Sequence, residues 1–275
     1  SVMYSPGHEA LLGMYLLSQP GKKSKSGYKT TDQALSAYRS GQIGATDIIR
    51  VNGHETTAGR LEIEAVLPAG MRETGKKRVS EMRLYDKAGM KKSLTQVAKT
   101  HPHLYGEVAN KFKDLGNDHS THIGFSVGLD DFAVVNGEKR DKIIASAERV
   151  ATKIRASKTL KASEKDAQVI IEYQKADNLL DKMNNVTMAA NPTNIYKMVI
   201  SGSRGDPDQL KQIVSSPVLV RDSKNRIVPY LIPKSYSEGM DTASYWTTLH
   251  GARKGTIQKT QGVRDPGALS KLIVN

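Results

Sequence analysis

Paired imidazoles, adjacent carboxylates, a glycine-rich loop and a run of fixed cations are the places where this sequence could do chemistry. His101 with His103, and His119 with His122, have spacings some metals use, but neither pair has a third ligand or a thiolate beside it. Packing or solvated histidines are the ordinary reading. Asp130 and Asp131 are neighbours in a strand-like stretch, Val127 to Val135, and neighbouring residues on a strand point to opposite faces. They cannot form an acid/base pair, so the expected role is to cap or tie down a turn. Ser201-Gly-Ser-Arg-Gly205 has two glycines that could let a backbone approach phosphate, yet it lacks the lysine and serine spacing of a nucleotide loop. What remains is Arg253, Lys254, Lys259 and Arg264, carried on a segment that also holds Gly251, Gly255 and Gly262. Fixed cations bind phosphate or acidic partners; they do not make or break bonds.

The element that must carry those cations is a long C-terminal helix. Tyr245, Trp246 and Leu249 recur at helical spacing where the helix begins, and Tyr245 and Trp246 read as core rather than base-stacking residues. Running from about Glu238 to Pro266, it would be roughly 40 Å long. Each interior glycine costs about 1 kcal/mol relative to alanine, so three of them imply close approach, bending or both. Upstream, His8 to Leu17 reads as a charge-poor, buried helix, and Pro20 to Thr31 as a basic Gly/Ser loop that could touch phosphate but reads first as solvated. Thr31-Asp32 would cap a helix over Gln33 to Ser40. Ile48 to Val51 and Gly59 to Val66 alternate like paired strands about the Asn52-Gly53 turn. Glu81 to Leu115 reads as helices broken near Gly89 and at Pro102. Asp141 to about Asn185 reads as a helical hairpin. Its stripes would be Ile143, Ile144, Ala147, Val150 and Ile154 on one helix, Ile170, Ile171, Gln174, Leu179 and Leu180 on the other. Ser163 with Asp166 would start its second helix. Val218 to Arg221 and Ile227 to Ile232 would pair across an Asp222 to Asn225 turn.

Composition narrows the classes. The 275 residues carry 41 Lys plus Arg against 28 Asp plus Glu, a net charge of +13, and an excess of that size favours polyanionic partners. A hydrophobic share of 38% is enough for a real core, poor in Phe and Trp and rich in Leu, Ile, Val, Ala and Met. The absence of cysteine excludes disulfides and thiolate zinc sites. No apolar run approaches the roughly 18 residues of a membrane span, and no signal-peptide pattern is visible at Ser1; a soluble, intracellular protein is expected.

Several motifs occur together and in order. His250-Gly-Ala-Arg-Lys-Gly255 is followed at fixed spacing by Gly267-Ala-Leu-Ser-Lys-Leu-Ile-Val274, and preceded by Asn194-Ile-Tyr-Lys-Met-Val-Ile-Ser-Gly-Ser-Arg-Gly205 with Gln209 to Ile213. Earlier come Ser5 to Ser18, Thr56-Thr-Ala-Gly-Arg60 and Phe125-Ser-Val-Gly-Leu-Asp-Asp131. With these motifs the chain resembles the β′-type largest subunit of multisubunit DNA-directed RNA polymerases, and the C-terminal helix resembles that family's bridge helix. The resemblance covers nearly the whole chain and implies a helix-rich α+β fold, the middle region of a β′-like subunit. It implies five regions. Residues 1–70 would be a helix with a small β region after the catalytic loop, and 71–137 a helical secondary-channel region with the G-DD turn. Residues 138–190 would be the helical hairpin, 191–235 the SG-RG helix and small hairpin, and 236–275 the bridge helix.

The family's magnesium-binding loop of three aspartates has no counterpart here. The resemblance therefore implies Mg²⁺ bound by another chain or segment, no zinc in this chain, and nucleotidyl transfer only within an assembly. The trigger loop would begin beyond Asn275, which makes the chain a middle slice, either a split-gene product of the giant-phage type or part of a longer polypeptide. The implied partners are a β-like subunit, the remaining β′-like segments, DNA template, RNA and nucleoside triphosphates. The implied location is the cytoplasm, a host's if viral, with packaging in a virion left open. Val263 and Arg264 would face the template and nascent base pair in an ungapped register, although Gly262, Arg264 and Pro266 stand where the family usually has helix formers and small residues. A register that instead matches Lys259-Thr260 to the family's Lys-Thr pair moves the contact by about one turn. Bending near Gly262 would accompany translocation, Arg253 and Lys254 would meet phosphate or another subunit, and Arg204 would lie near the channel that admits nucleotides. The rival classes are a non-catalytic nucleic-acid-binding or regulatory protein with a β′-like fold and a structural scaffold whose basic surface is incidental.

Overall fold

The computed structural model describes residues 4–222 and 224–274. The chain divides into two compact units, residues 1–127 with 194–206 and residues 128–193 with 207–275.

The first unit forms around α1 (His8–Ser18), buried on every side from Ala10 to Ser18. A helix without a polar face must be enclosed. In chain order there follow β1 (Lys23–Tyr28), α2 (Thr31–Arg39), β2 (Ile48–Val51), β3 (His54–Thr57), α3 (Ala58–Val66), α4 (Lys87–Thr100) and α5 (Tyr105–Ile123). Helices α1 and α5 cross at glycines: a Cβ on Gly13 would lie 1.9 Å from the Gly116 carbonyl oxygen, and one on Gly116 would lie 2.0 Å from that of Ala10. Leu11, Met14 and Leu17 then pack with Ile63, Leu94 and Phe112 in the main core.

The small sheet has the order β1-β2-β3, with β1 parallel to β2 and β2 antiparallel to β3. Asn52 and Gly53 turn the β2–β3 hairpin with φ of 49° and 81°, the paired positive angles of a two-residue turn. Two expectations fail here. The basic stretch read as a solvated loop contains strand β1. The stretch read as a strand from Gly59 is helix α3, because the Thr57 hydroxyl accepts from the Arg60 amide at 3.2 Å and caps a helix start. Leu61 and Ile63 fit either period over so short a run, and packing against α1 decides it. Two caps also move. Thr30 rather than Thr31-Asp32 caps α2, and Asp86 Oδ1 accepts from the Gly89 amide at 2.7 Å, so Gly89 lies inside the first turn of α4 instead of breaking it.

The second unit starts with a 3-10 turn over Leu129–Phe132, where a strand was expected; Asp131 accepts from the Gly128 amide at 2.8 Å, a turn-binding role. Helices α6 (Gly137–Ala156) and α7 (Ala162–Ala190) pack through Ile144, Ala147 and Ala151 against Val169, Tyr173, Ala176 and Leu180. The stripe on α7 is thus rotated from the expected one, leaving Ile171 and Leu179 exposed, and Val150 on α6 is exposed as well. Glu164 accepts from the Lys161 amide at 2.9 Å and starts α7 ahead of the Ser163–Asp166 pair. The chain returns to the first unit for α8 (Asn194–Ser201), then adds α9 (Pro207–Val214) to the second. Val218 bridges Ile232, and Arg221 bridges Ile227, as isolated pairs rather than full strands. Their turn is held by Asp222, which accepts from the Lys224 and Arg226 amides at 2.9 Å; Ser223 lies outside the described residues. Last comes α10 (Thr242–Val274), 33 residues and about 50 Å long, which runs on through Pro266 where an end was expected.

Candidate nucleic-acid interface

Helix α10 begins at Asp241, whose carboxylate accepts from the Ser244 amide at 2.7 Å while its carbonyl accepts from the Tyr245 amide. The stretch from Tyr245 to Lys254 lines one wall of a groove of about 880 Å³, opposite Leu219, Arg221 and Gln212. At the far end of that wall the Lys254 ammonium donates to the Asn225 side-chain carbonyl at 2.7 Å, pinning the helix to the tip of the small hairpin. Beyond Gly255 every described side chain is exposed. The helix is therefore mounted by its first half and free along its second.

The free half is basic. Beyond Gly255, Lys259, Arg264 and Lys271 stand against one acid, Asp265, which pairs with Arg264 at 3.4 Å, and Arg253 and Lys254 precede them on the mounted half. At about 100° per residue, Arg253, Thr260, Arg264 and Lys271 fall on one face, and Gly251, Gly255 and Gly262 on the opposite face. Val263, 66% exposed, lies about 80° round from the centre of the basic face, and Lys259 about 120° round on the same side, nearer the glycines. A Cβ added at any of the three glycines would meet nothing within 4 Å. Close packing against the described residues thus does not account for them. Pro266 adds a second weakness at the same place: it has no N–H to give to the carbonyl four residues back, which is that of Gly262.

Tyr245 and Trp246, expected in the core, are exposed, Trp246 at 65%. Helical spacing identified an apolar face correctly but could not say that nothing in the described chain covers it. Arg204 belongs to the first unit. It lines a cavity of about 480 Å³ with His8, Asn117, Ser120 and Phe125, its guanidinium 3.9 Å from Glu9. The Ser201–Gly205 loop is a helix end and offers no open cradle: the Ser201 and Ser203 hydroxyls both donate to the Met198 carbonyl, and the Gly202 amide to that of Val199. His119 is buried, and burial followed by the nearby His122 lowers its pKa, favouring a neutral ring. Among the described residues no group of three His, Asp or Glu side chains is placed to hold a metal.

Sequence reasoning missed the residues that mount the helix. Arg140, 2% exposed, forks onto Glu238 from 98 positions away; sequence reasoning missed as well Lys211, which ties α9 to α7 by bridging Asp177 at 2.6 Å and Asp181 at 2.9 Å. No local pattern marks a pair so distant; only the capping of α10 just after Glu238 could have drawn attention to that segment.

Residues 143–242 match the family model described as RNA polymerase Rpb1, domain 4. Over 290 residues the chain is 29% identical to the DNA-directed RNA polymerase subunit beta′ of Moorella thermoacetica, covering 98% of this chain and 24% of that protein. The beta′ subunit of Desulforudis audaxviator is 27% identical over 98% of this chain and 24% of its own length, and that of Fusobacterium nucleatum 24% identical over 98% and 20%. The chain spans about a quarter of the length of the curated relatives it matches. Together the matches support a β′-type RNA polymerase segment.

Proposed function

We propose that this β′-type segment is a component of a multisubunit DNA-directed RNA polymerase, in which α10 crosses the active-site cleft as the bridge helix. The observation that carries the reading is the form of α10: a helix of 33 residues, mounted along its first half, with one basic face left exposed and a glycine face behind it. A basic face on a rigid rod follows a phosphate backbone without reading bases. Arg253, Thr260 and Arg264 would lie toward nucleic acid, with Val263 beside the nascent base pair; in the alternative register Lys259 and Thr260 take that place. Lys254 is already engaged by Asn225, which favours a mounting role over phosphate contact. Gly262 and Pro266 form the weakest stretch of the helix and are the proposed bend. Arg204 would border the passage that admits nucleotides.

The described residues do not fit the catalytic magnesium, so no step through the metal is assigned to them. The ion and its ligands would come from another segment, together with a β-like subunit, template, RNA and nucleoside triphosphates. A split subunit of the giant-phage type, working in host cytoplasm and packaged or not in the virion, is the proposed setting. The test is purification of the tagged chain from its source, followed by template-directed synthesis with a photoreactive nucleotide at the RNA 3′ end. Co-purifying β-like and β′-like chains with crosslinks to residues 259–264 are expected. DNA binding by the chain without such partners would overturn the reading in favour of a non-catalytic nucleic-acid-binding protein.

A further inference from the structure

We propose that Arg140 and Glu238 are positioning residues that fix the root of α10 on the base of the α6–α7 pair, so that one ion pair sets the attitude of the exposed basic face. This rests on the reading of α10 as the helix beside nucleic acid.

Arg140 lies in the first turn of α6 and is buried in the second unit. Its guanidinium spans Glu238 with both terminal nitrogens, Nη2 reaching Oε1 at 2.8 Å and Nη1 reaching Oε2. Nη1 also donates to the Ser215 carbonyl at 2.8 Å, and Nε to Asp141 at 3.0 Å. Such a fork fixes direction as well as distance, which a lysine could not do. On the other side Glu238 accepts from the Ser235 amide at 3.0 Å and hydroxyl at 2.7 Å. The cluster continues into α7, where Asn184 donates to the Ser215 hydroxyl at 2.9 Å and accepts from Asn136 at 3.2 Å. The start of α6, the last third of α7 and the segment entering α10 therefore share one polar cluster.

Position explains why this matters beyond stability. Glu238 stands four residues before Thr242, and the link is stiffened by Gly239 at φ 81°, whose amide donates to the Tyr236 carbonyl, and by the Asp241 cap. Past the Lys254–Asn225 contact nothing in the described chain supports α10. From the Lys254 contact to Arg264 the unsupported lever is roughly 15 Å, so a change of about 5° in the direction set by the mounted half displaces the Arg264 backbone by about 1 Å. Misplacement by about 1 Å at a reacting centre can cost about a hundredfold in rate. Buried ion pairs are often replaceable by apolar contacts without loss of stability. Direction is what the fork adds.

The test has two stages on the wild-type chain, Glu238→Gln, Arg140→Lys and Arg140→Met. In the purified full chain, hydrogen exchange of amides 242–249 should quicken at least about tenfold in Arg140→Met and less in Arg140→Lys, while α1 and α5 amides keep their rates. In the reconstituted polymerase, the nucleotide-addition rate should fall at least about tenfold at unchanged nucleotide KM, with partial recovery in Arg140→Lys. Unchanged exchange in α10, or a lowered melting temperature with an unchanged addition rate, overturns the proposal. If the wild-type chain supports no polymerase, the bridge-helix reading fails and the positioning proposal with it; quickened α10 exchange would then leave a purely structural anchor.

Discussion

At the scale of single residues, Glu238 links structure to pH. The Arg140 guanidinium, then the Ser235 hydroxyl and amide, hold its carboxyl down at about 2 from an ordinary 4.5, against burial acting the other way. A depressed carboxyl contributes stability that is complete above its unfolded value and is lost as pH falls through the folded one. The contribution is about 3 kcal/mol at most, and the partly exposed side chain makes the real figure smaller. Urea unfolding of wild type and Glu238→Gln should show a constant gap from pH 7 to pH 5 that closes between about 4.5 and 2; a gap independent of pH down to 2 would refute it. Tyr173 offers a contrast. Burial, then the Glu148 carboxylate that accepts its proton, push its pKa up to about 12, so it stays a neutral donor throughout that range. Neither role was legible in the sequence, since Arg140 and Glu238 have no shared motif and Tyr173 was not among the expected stripe residues.

At the scale of elements, two kinds of glycine separate. Gly116 sits where α1 and α5 touch backbone to backbone, so Gly116→Ala should destabilise the chain by about 1–3 kcal/mol or more, read as a lowered urea midpoint. Gly262 has open space around it, and Gly262→Ala should instead stiffen α10 by about 1 kcal/mol of helix propensity, without a steric cost inside this chain. If Gly262 is the bend, that bias shifts a two-state equilibrium about fivefold, and the elongation rate should change while the melting temperature does not fall. Pro266→Ala restores a donor to the Gly262 carbonyl and should act in the same direction. An unchanged rate with a lowered melting temperature would make Gly262 a packing residue against another subunit. Sequence periodicity found α1, α4 to α7 and α10 because each is long enough for its period to show. It failed at α3, where nine residues satisfy two periods and packing chooses between them, and at β1, whose Lys, Ser and Gly run has no apolar period to read.

At the scale of the whole molecule, the proposed role predicts that the reconstituted polymerase, to which this chain brings a charge of +13 and an exposed basic helix, holds nucleic acid with an affinity that weakens steeply with salt. Arg264→Ala should lower the slope of log affinity against log salt by about one, whatever the DNA sequence; a slope unchanged from wild type would remove Arg264 from the interface. Leu269, Leu272, Ile273 and Val274 are exposed together at the end of α10, and a chain with such a patch should self-associate when purified alone. Sedimentation as a stable monomer at high concentration would argue against that patch as a subunit contact. Template-directed RNA synthesis by the isolated chain in Mg²⁺ is not expected, because its described residues bring no carboxylate cluster to a metal.

Composition, motif order and the long glycine-bearing basic segment were enough to determine the class of the chain, its helix-rich character and the residues worth testing, since each is a local or additive property. Apolar spacing likewise marked which helices have a face to bury. The tertiary structure alone decided which of those faces are covered: Tyr173 is enclosed between α6 and α7, while Trp246 stands open on α10. It alone decided that the helix is held by Arg140 and Glu238. Burial and ion pairing depend on what folding brings together across the chain, and 98 intervening residues leave no trace of such a meeting in either local pattern.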